Sequence, residues 1–155
     1  MLRTTEILNS YFDLTVKDLI SSYEQKGLKA SGKYARSLVK EITESGTMTT
    51  AKIKGANHAY WMQHGRNPNK QQTAQQARSL GKILEQWVKD KGIVANPYAI
   101  AWKIVREGIQ VPNQHNPGGV VSDVINDDWL AKIIKQIHGD VILSAKSEVL
   151  TAFKK

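Results

Sequence analysis

Four histidines are the residues of this sequence best suited to chemistry, because imidazole binds metals and transfers protons near neutral pH. Two of them, His58 and His64, flank a pair of aromatic residues in the segment 56–69, ANHAYWMQHGRNPN. Their separation does not place both side chains on one face of a helix, so the pair lacks the geometry of an HxxxH metal site. His115 falls in a loop-like stretch and His138 in a helical one. The spacing therefore predicts no metal ion and no cofactor, and it favours histidines that are solvated or face a partner.

The motifs of common enzyme classes are missing from the sequence. It has no cysteine, which excludes thiol nucleophiles, disulfides and thiolate zinc sites. It has neither a GxSxG nucleophile motif nor a glycine-rich phosphate loop. His115 followed by Asn116 matches one half of a nuclease motif, but the other half, a histidine with an acidic partner, is missing. We therefore expect no enzymatic activity, and the competing hypothesis is a nuclease that uses His58, His64 or His115.

The charge of the chain points to an anionic partner. A net charge of +8 and a sequence pI near 9.7 permit contact with nucleic acid or with an acidic protein. Lysine and arginine are spread along the chain without a run of four or more, which is also the pattern of solvated helix faces. A small basic DNA-binding protein is therefore the alternative functional hypothesis, and non-specific contact with DNA is its weaker form.

Length and hydrophobicity bound the class of protein. A chain of 155 residues, 41% of them hydrophobic, predicts a single domain over residues 1–155. No apolar run approaches the roughly 18 residues of a membrane span. The N-terminal residues lack the charged start and the continuous apolar run of a signal peptide. We expect a cytosolic product without membrane contact.

The elements that would position the histidine segment begin on its N-terminal side. Apolar residues at three- and four-residue spacing predict an amphipathic helix over residues 4–26. Gly32 breaks the chain after this helix. β-Branched residues then concentrate in 37–44 and 47–54 on either side of a short turn, which predicts an antiparallel hairpin. Residues 33–36 leave open the alternative of a short helical turn.

The segment 56–69 itself has the pattern of a junction. Asn57 can cap a short helix that Gly65 ends. The loop that follows, 66–72, is wholly polar and contains a proline, so we expect it to be exposed. Aromatic residues beside an exposed loop are enriched at protein interfaces, and Trp61 occupies such a position.

Helices dominate the chain after this junction. Helical periodicity covers residues 73–91, and the Asn-Pro pair at 96–97 begins a second helix that Gly108 ends. Residues 109–125 carry β-branched residues at both ends and turn formers between them. This pattern predicts two short strands around a mobile tip at 113–119.

A last, long helix follows, and it completes the predicted layout. Asn126, Asp127 or Asp128 can cap it, and its apolar stripe continues to Phe153. The predicted order is one helix, two strands, three helices, two strands and one helix. We therefore predict an α+β fold, with a small antiparallel β-sheet packed with long N- and C-terminal helices.

Several stretches resemble the tail-completion or head–tail joining (neck) proteins of tailed bacteriophages. The first, SGKYARSL, has a Ser-Gly turn followed by an apolar residue and a serine: Ser31, Gly32, Tyr34 and Ser37. The second is AYWMQHGRNP, where residues 60–65 match a family segment that begins with tyrosine and ends in glycine. Gln63 stands where the family usually has an acidic residue, and Arg66 where it has threonine. Downstream, WVKDKGI and YAIAWKIVREGI resemble a version of these proteins with a helical insertion after the glycine.

The resemblance implies a structural virion protein with a helical insertion, without catalytic residues or a cofactor. Such proteins form hexameric or dodecameric rings at the neck, where they join the connector to the tail tube and help to retain the packaged DNA. The implied partners are further copies of the chain, the portal or connector protein and the tail-tube protein. The implied location is the virion neck, with assembly in the host cytoplasm.

The residues expected to meet a neighbouring subunit lie in the junction and in two loops. These candidates are Trp61, Gln63, His64, Arg66, Asn67, Asn69 and His115. Tyr60 and Met62 would anchor the junction to the core. Gly32 and Gly65 are expected to form structural turns, because glycine adopts positive φ without the cost that a side chain brings.

Overall fold

The computed structural model describes residues 2–69, 71 and 73–152, and that part of the chain has an α+β fold. The prediction of this fold class is confirmed. The described elements are α1 (Leu2–Gln25), α2 (Lys33–Ser37), β1 (Val39–Ser45), β2 (Met48–Lys54), α3 (His58–His64), α4 (Thr73–Asp90), α5 (Pro97–Glu107) and α6 (Asp127–Ala152).

The N-terminal helix forms where the apolar periodicity predicts it. Helix α1 buries Leu8, Phe12, Leu19 and Tyr23, whose spacings place them on one side of a helix with 3.6 residues per turn. The chain leaves the helix through Gly27, which has a φ of 68°. A positive φ at this place is typical of glycine-terminated helices.

The predicted hairpin is also confirmed. Strands β1 and β2 pair antiparallel, and Ser45 opposite Met48 leaves a two-residue turn. Gly46 occupies the first turn position with a φ of 60°, as the tight turns of hairpins require. Residues 33–37 form the short helix α2, so the helical alternative for this stretch holds.

Two hydrophobic clusters surround α1. The first has Leu8, Phe12 and Ile133 at its centre, and the hairpin packs on it through Ile42, Ala51 and Ile53. Helix α6 contributes Trp129 and Ile137 to this cluster. The second cluster is centred on Tyr23, Tyr34 and Val120. Around it lie Leu28, Leu38, Ala59, Met62 and Val121. The second cluster therefore joins α1, α2 and α3 to the segment that precedes α6.

Helices α4 and α5 pack on each other as a hairpin. Gly81 of α4 lies against Tyr98 of α5 so closely that an added Cβ would be 2.4 Å from the tyrosine ring. The Tyr98 hydroxyl donates a hydrogen bond of 2.6 Å to Glu85. The Asn96 side chain accepts hydrogen bonds at the start of α5 and thereby caps it. The predicted boundaries at Asn96 and Gly108 are confirmed.

The prediction of two strands within 109–125 is wrong. In this segment the structure has only isolated bridges, which pair Ile109 with Arg66 and Asn113 with Asn116. Val120 is fully buried in the second cluster, and the residues around it form turns. The β-branched residues here fill a core between helices, and Gly118 with a φ of 76° breaks the extended conformation that a strand needs.

The apolar stripe of α6 is divided between two faces. Asn126 caps the helix, since its side-chain oxygen accepts a hydrogen bond of 3.0 Å from the Trp129 amide. Ile133 is 5% exposed and packs in the first cluster. A second row of apolar side chains is exposed: Leu130, Ile134, Val141, Ala145 and Val149, hereafter the α6 stripe. At about 100° per residue, this row runs along the helix beside the packed face. Phe153, predicted to continue the stripe, lies outside the described residues.

Candidate functional site

Helix α3 presents aromatic side chains on its outer face. Its inner side chains, Ala59 and Met62, pack against the second hydrophobic cluster. Tyr60 and Trp61 point away from that cluster and are 61% and 50% exposed. His64 follows one turn later and is exposed. Met62 thus anchors the helix as predicted, whereas Tyr60 belongs to the outer surface.

Ring contacts organise this outer surface into one group. The ring centres of Tyr60 and Trp61 are 5.3 Å apart and nearly perpendicular, and those of Tyr60 and His64 are 4.7 Å apart. The guanidinium carbon of Arg66 lies 6.0 Å from the centre of the Trp61 ring, within the range of a cation–π contact. These four residues, Tyr60, Trp61, His64 and Arg66, are hereafter the aromatic face.

Two glycines set the position of Arg66. Gly65 ends α3 with a φ of 75°, and Gly108 ends α5 with a φ of 76°. Arg66 and Ile109, the residues that follow them, exchange backbone hydrogen bonds of 2.8 and 2.7 Å. A Cβ on Gly65 would lie 2.2 Å from the Ile109 carbonyl oxygen. Gly65 is therefore required both for its φ and for the close approach of the two chain segments.

Gly32, the other predicted turn, precedes α2. Its φ of 72° brings the chain from the end of α1 into the short helix. A Cβ there would lie 3.1 Å from a guanidinium nitrogen of Arg36, which is the far end of a flexible side chain. The turn thus needs the glycine mainly for its backbone conformation.

Gln63 differs from our expectation of a residue that faces a partner. Its side-chain oxygen accepts a hydrogen bond of 2.9 Å from the Val121 amide, and its side-chain nitrogen donates one of 2.9 Å to the Ser122 hydroxyl. The turn at 120–124 is not part of a sheet, so its backbone amides need other acceptors. Gln63 supplies one and fastens this turn to α3.

The loop after α3 is less exposed than its polar sequence predicts. Arg66 and Asn69 are partly buried, and the Asn69 amide donates a hydrogen bond of 2.8 Å to the Val105 carbonyl of α5. The Asn69 side chain donates a further bond of 3.1 Å to Gln76. Asn67 is exposed, as expected. Of this loop, Lys70 and Gln72 lie outside the described residues.

His115 lies on a tight turn that is fastened to α3. It is exposed, and its backbone amide donates a hydrogen bond of 2.8 Å to the Asn113 side chain. The neighbouring Asn116 side chain donates a bond of 2.8 Å to the Met62 carbonyl. We expected a mobile tip at 113–119, and the structure instead anchors this tip to α3 through Asn116.

The remaining histidine of the segment lies on the opposite side of α3. His58 is partly buried beside the Tyr34 ring, with the two ring centres 6.0 Å apart. Burial, and secondly the positive charge of Lys33, lower the pKa of His58 from its ordinary value. Both effects favour the neutral form of its imidazole. Among the described residues, no group of three or more histidine, aspartate or glutamate side chains could hold a metal ion.

The distribution of charge along the chain is a feature that our sequence analysis missed. Residues 25–84 contain eleven lysines and arginines against two acidic residues, a net charge of +9. The remainder of the chain has eleven basic and twelve acidic residues, a net charge of −1. Between Glu44 and Glu85 there is no acidic residue, and α3 with its aromatic face lies inside this interval. A running count of charge along the sequence would have found it.

Neither protein-family models, nor curated proteins, nor solved structures give a match to this chain. Within residues 2–69, 71 and 73–152, no helix is long and apolar enough to cross a membrane.

Proposed function

We propose that this protein is a structural virion protein of a tailed bacteriophage, a subunit of an oligomeric ring at the head–tail interface. In this role it joins the connector to the tail tube and helps to retain DNA. Its partners are further copies of itself in a hexameric or dodecameric ring, the portal or connector protein and the tail-tube protein. It acts in the virion neck and is assembled in the host cytoplasm.

The α6 stripe is the observation that carries this proposal. Leu130, Ile134, Val141 and Val149 are each between 46% and 54% exposed, and they succeed one another along a single helix. Helix α6 has 26 residues and is about 39 Å long. The row itself runs from Leu130 to Val149, about 29 Å along the helix, with the exposed His138 between Ile134 and Val141. Exposed apolar side chains aligned over this distance are typical of a surface that a protein partner covers. The row lies next to residues already packed in the core, so a partner would extend the existing core.

The aromatic face is a second candidate partner surface, on a different element from the α6 stripe, and a ring subunit needs two such surfaces. Subunits of a closed ring use two unlike surfaces, one for each neighbour or layer, because the contact is heterologous. The α6 stripe is aliphatic, whereas the aromatic face combines Tyr60 and Trp61 with Arg66. Such unlike surfaces on one chain support a subunit that contacts different partners at the same time.

The arrangement of the α4–α5 hairpin supports the motif resemblance. The hairpin begins after Arg66 and ends before Ile109, and these two residues are hydrogen-bonded to each other. A segment whose two ends meet in this way can be inserted into a fold without displacing its other elements. This is the place, after Gly65, where the resembling proteins carry a helical insertion.

The proposal assigns partner binding to the chain and no catalysis. The aromatic face has a histidine but no acidic side chain beside it, and its rings contact each other and Arg66. General acid–base chemistry needs a proton donor or acceptor aligned with a nucleophile or a second titrating group. The groups around His64 suit recognition instead.

Assembly of the full-length chain tests the proposal. We expect native mass spectrometry and sedimentation velocity to give a ring-sized oligomer, alone or with the connector protein, and electron microscopy to locate the protein at the neck of virions. The exchange Val141→Glu places a charge in the α6 stripe and is expected to abolish assembly while circular dichroism stays unchanged. Gln136→Glu adds the same charge to an exposed position on another face of α6 and is the matched control. A strictly monomeric protein that is absent from particles would overturn the proposal.

A further inference from the structure

We propose that the aromatic face binds single-stranded nucleic acid, with Tyr60 and Trp61 stacking on bases and Arg66 contacting phosphate. This inference rests on the proposal above that the aromatic face is a partner surface, and it names the partner. It follows from three features of the face: accessible ring planes, an excess of positive charge, and the chemistry of the alternatives.

The rings are accessible in the way that stacking requires. Tyr60 is 61% exposed and Trp61 is 50% exposed, and the planes of the two rings are inclined by 87°. Together with Ala56 and Asn57 they line a shallow depression. Stacking on exposed aromatic side chains is the common way in which proteins hold unpaired bases, since every base presents a flat π-face. Two rings at a steep angle can hold two bases on a bent strand.

Arg66 brings a positive charge to these rings. Arg66 lies over Trp61 and is in no ion pair within the described residues. Lys33 lies near His58, on the other side of α3, and adds to the positive charge around the helix rather than at the rings. Lys54, on the strand that precedes α3, forms an ion pair of 2.5 Å with Glu41 and is therefore not counted among these charges. A phosphate backbone that crosses the face therefore meets Arg66, within a stretch of the chain, residues 25–84, whose net charge is +9.

The other partners fit this face less well. In the heterologous contact of a ring, a second copy of the chain would bring an unlike surface such as the aliphatic α6 stripe, which offers no negative charge to Arg66. An acidic peptide would match the charge but offers few flat groups to cover two rings. Duplex DNA would satisfy the charge, yet its bases are paired and stacked, so exposed rings cannot reach them. A single strand meets both requirements, because its phosphates and its bases are accessible together.

Fluorescence anisotropy of a labelled oligodeoxythymidine of about 15 nucleotides, within the site size of such proteins, tests the inference. At about 50 mM salt we expect binding, with an affinity that falls as salt rises, because each phosphate contact releases counterions. The exchange Trp61→Ala should weaken binding by about tenfold, the effect of one lost stacking contact. Trp61→Phe, which keeps a ring, should restore most of the affinity. Arg66→Gln should weaken binding and flatten the dependence on salt.

Trp102 provides the matched control, since it is 43% exposed and lies on α5 rather than on the aromatic face. Trp102→Ala should leave binding unchanged, and an equal loss in both alanine variants would overturn the proposed location. An abasic strand of the same length should bind about a hundredfold more weakly, because it loses both stacking contacts. If the abasic strand, duplex DNA or poly-glutamate binds as tightly as the oligonucleotide, the face recognises charge alone and the inference fails.

The outcomes for this inference and for the ring are separable. Sedimentation of Trp61→Ala reports assembly, while anisotropy of the same sample reports nucleic-acid binding. Absence of binding at about 50 mM salt from a protein that still forms rings would overturn the inference and leave the ring proposal standing. Binding by a protein that stays monomeric and absent from particles would support the inference and overturn the ring.

Discussion

At the scale of single residues, Gly65 and Gly108 hold corresponding positions. Each is the first residue after a helix, each has a positive φ, and each faces a carbonyl oxygen of the opposite segment. An added Cβ would lie 2.2 Å from the Ile109 oxygen at Gly65 and 2.4 Å from the Arg66 oxygen at Gly108. The two helices can therefore end side by side only if both residues lack a side chain, and this pairing sets where Arg66 meets Trp61.

Gly65→Ala is expected to destabilise the protein by clearly more than the roughly 1–2 kcal/mol of a positive φ, because the new methyl group also collides with a backbone oxygen. Gly92→Ala is the matched control, since Gly92 has a φ of 65° and open space around its Cβ position. Urea denaturation of both variants measures the difference in free energy of unfolding. Equal losses for the two variants would contradict the role of close approach at Gly65.

At the scale of elements, the two predicted asparagine caps of α3 and α5 behave differently. The Asn96 side chain accepts hydrogen bonds of 2.9 and 3.4 Å from the Tyr98 and Ala99 amides. Asn57 has helical backbone angles and makes no such bond. Helix α3 is instead held from outside, by the packing of Met62 and by hydrogen bonds that join it to 113–122. A short helix can thus depend on tertiary contacts where a longer one has its own cap.

Asn96→Ala is expected to lower the free energy of unfolding by about 1 kcal/mol, the usual effect of a lost cap. Asn57→Ala should lower it by a few tenths of a kcal/mol at most, because no cap bond is lost. Both are exposed asparagines that precede a helix, so the pair is matched in chemistry. Thermal denaturation followed by circular dichroism provides the comparison, and a larger loss for Asn57→Ala would show that the cap assignment is wrong.

At the scale of the whole molecule, the α4–α5 hairpin is a separately packed unit, and Lys91 in its turn donates a hydrogen bond of 2.6 Å to the Gly27 carbonyl of the main body. Its helices pack on each other through Gly81 and Tyr98, and its ends meet at the hydrogen-bonded pair of Arg66 and Ile109. The remaining elements gather around α1 in two hydrophobic clusters, to which neither α4 nor α5 contributes a described residue. The molecule therefore consists of a main body and an inserted hairpin.

Replacement of residues 67–108 by Asn-Gly is expected to leave a folded main body. The bridge between Arg66 and Ile109 is already the hydrogen-bonded pair that a two-residue turn closes, and Asn-Gly suits the positive φ values of that turn. A Val-Val connector should be less stable by about 1–2 kcal/mol per residue forced to positive φ. Circular dichroism and urea denaturation test both shortened variants. Loss of cooperative unfolding with either connector would contradict the insertion model.

The sequence by itself determined those features that depend on residues close together in the chain. Local patterns predict helix α1, the hairpin of β1 and β2, the Asn96 cap and the glycine after each of α3 and α5. The aromatic segment was correctly singled out as a junction between the hairpin and the later helices. The reason is that helical periodicity, turn formation and capping act over a few residues, so a short window contains the whole cause.

Tertiary structure alone decided which side chains meet across the fold. The periodicity of α6 gives one broad stripe, and only the position of α1 determines that Ile133 is covered while Ile134 is open. Gln63 is polar, yet its side chain faces the protein, because its amide oxygen accepts a hydrogen bond from the turn at 120–124. The β-branched residues of 109–125 have a pattern that is also compatible with a strand. The tertiary structure instead buries Val120 in the second cluster, between helices. These outcomes follow from partners distant in sequence, whose positions no local pattern specifies.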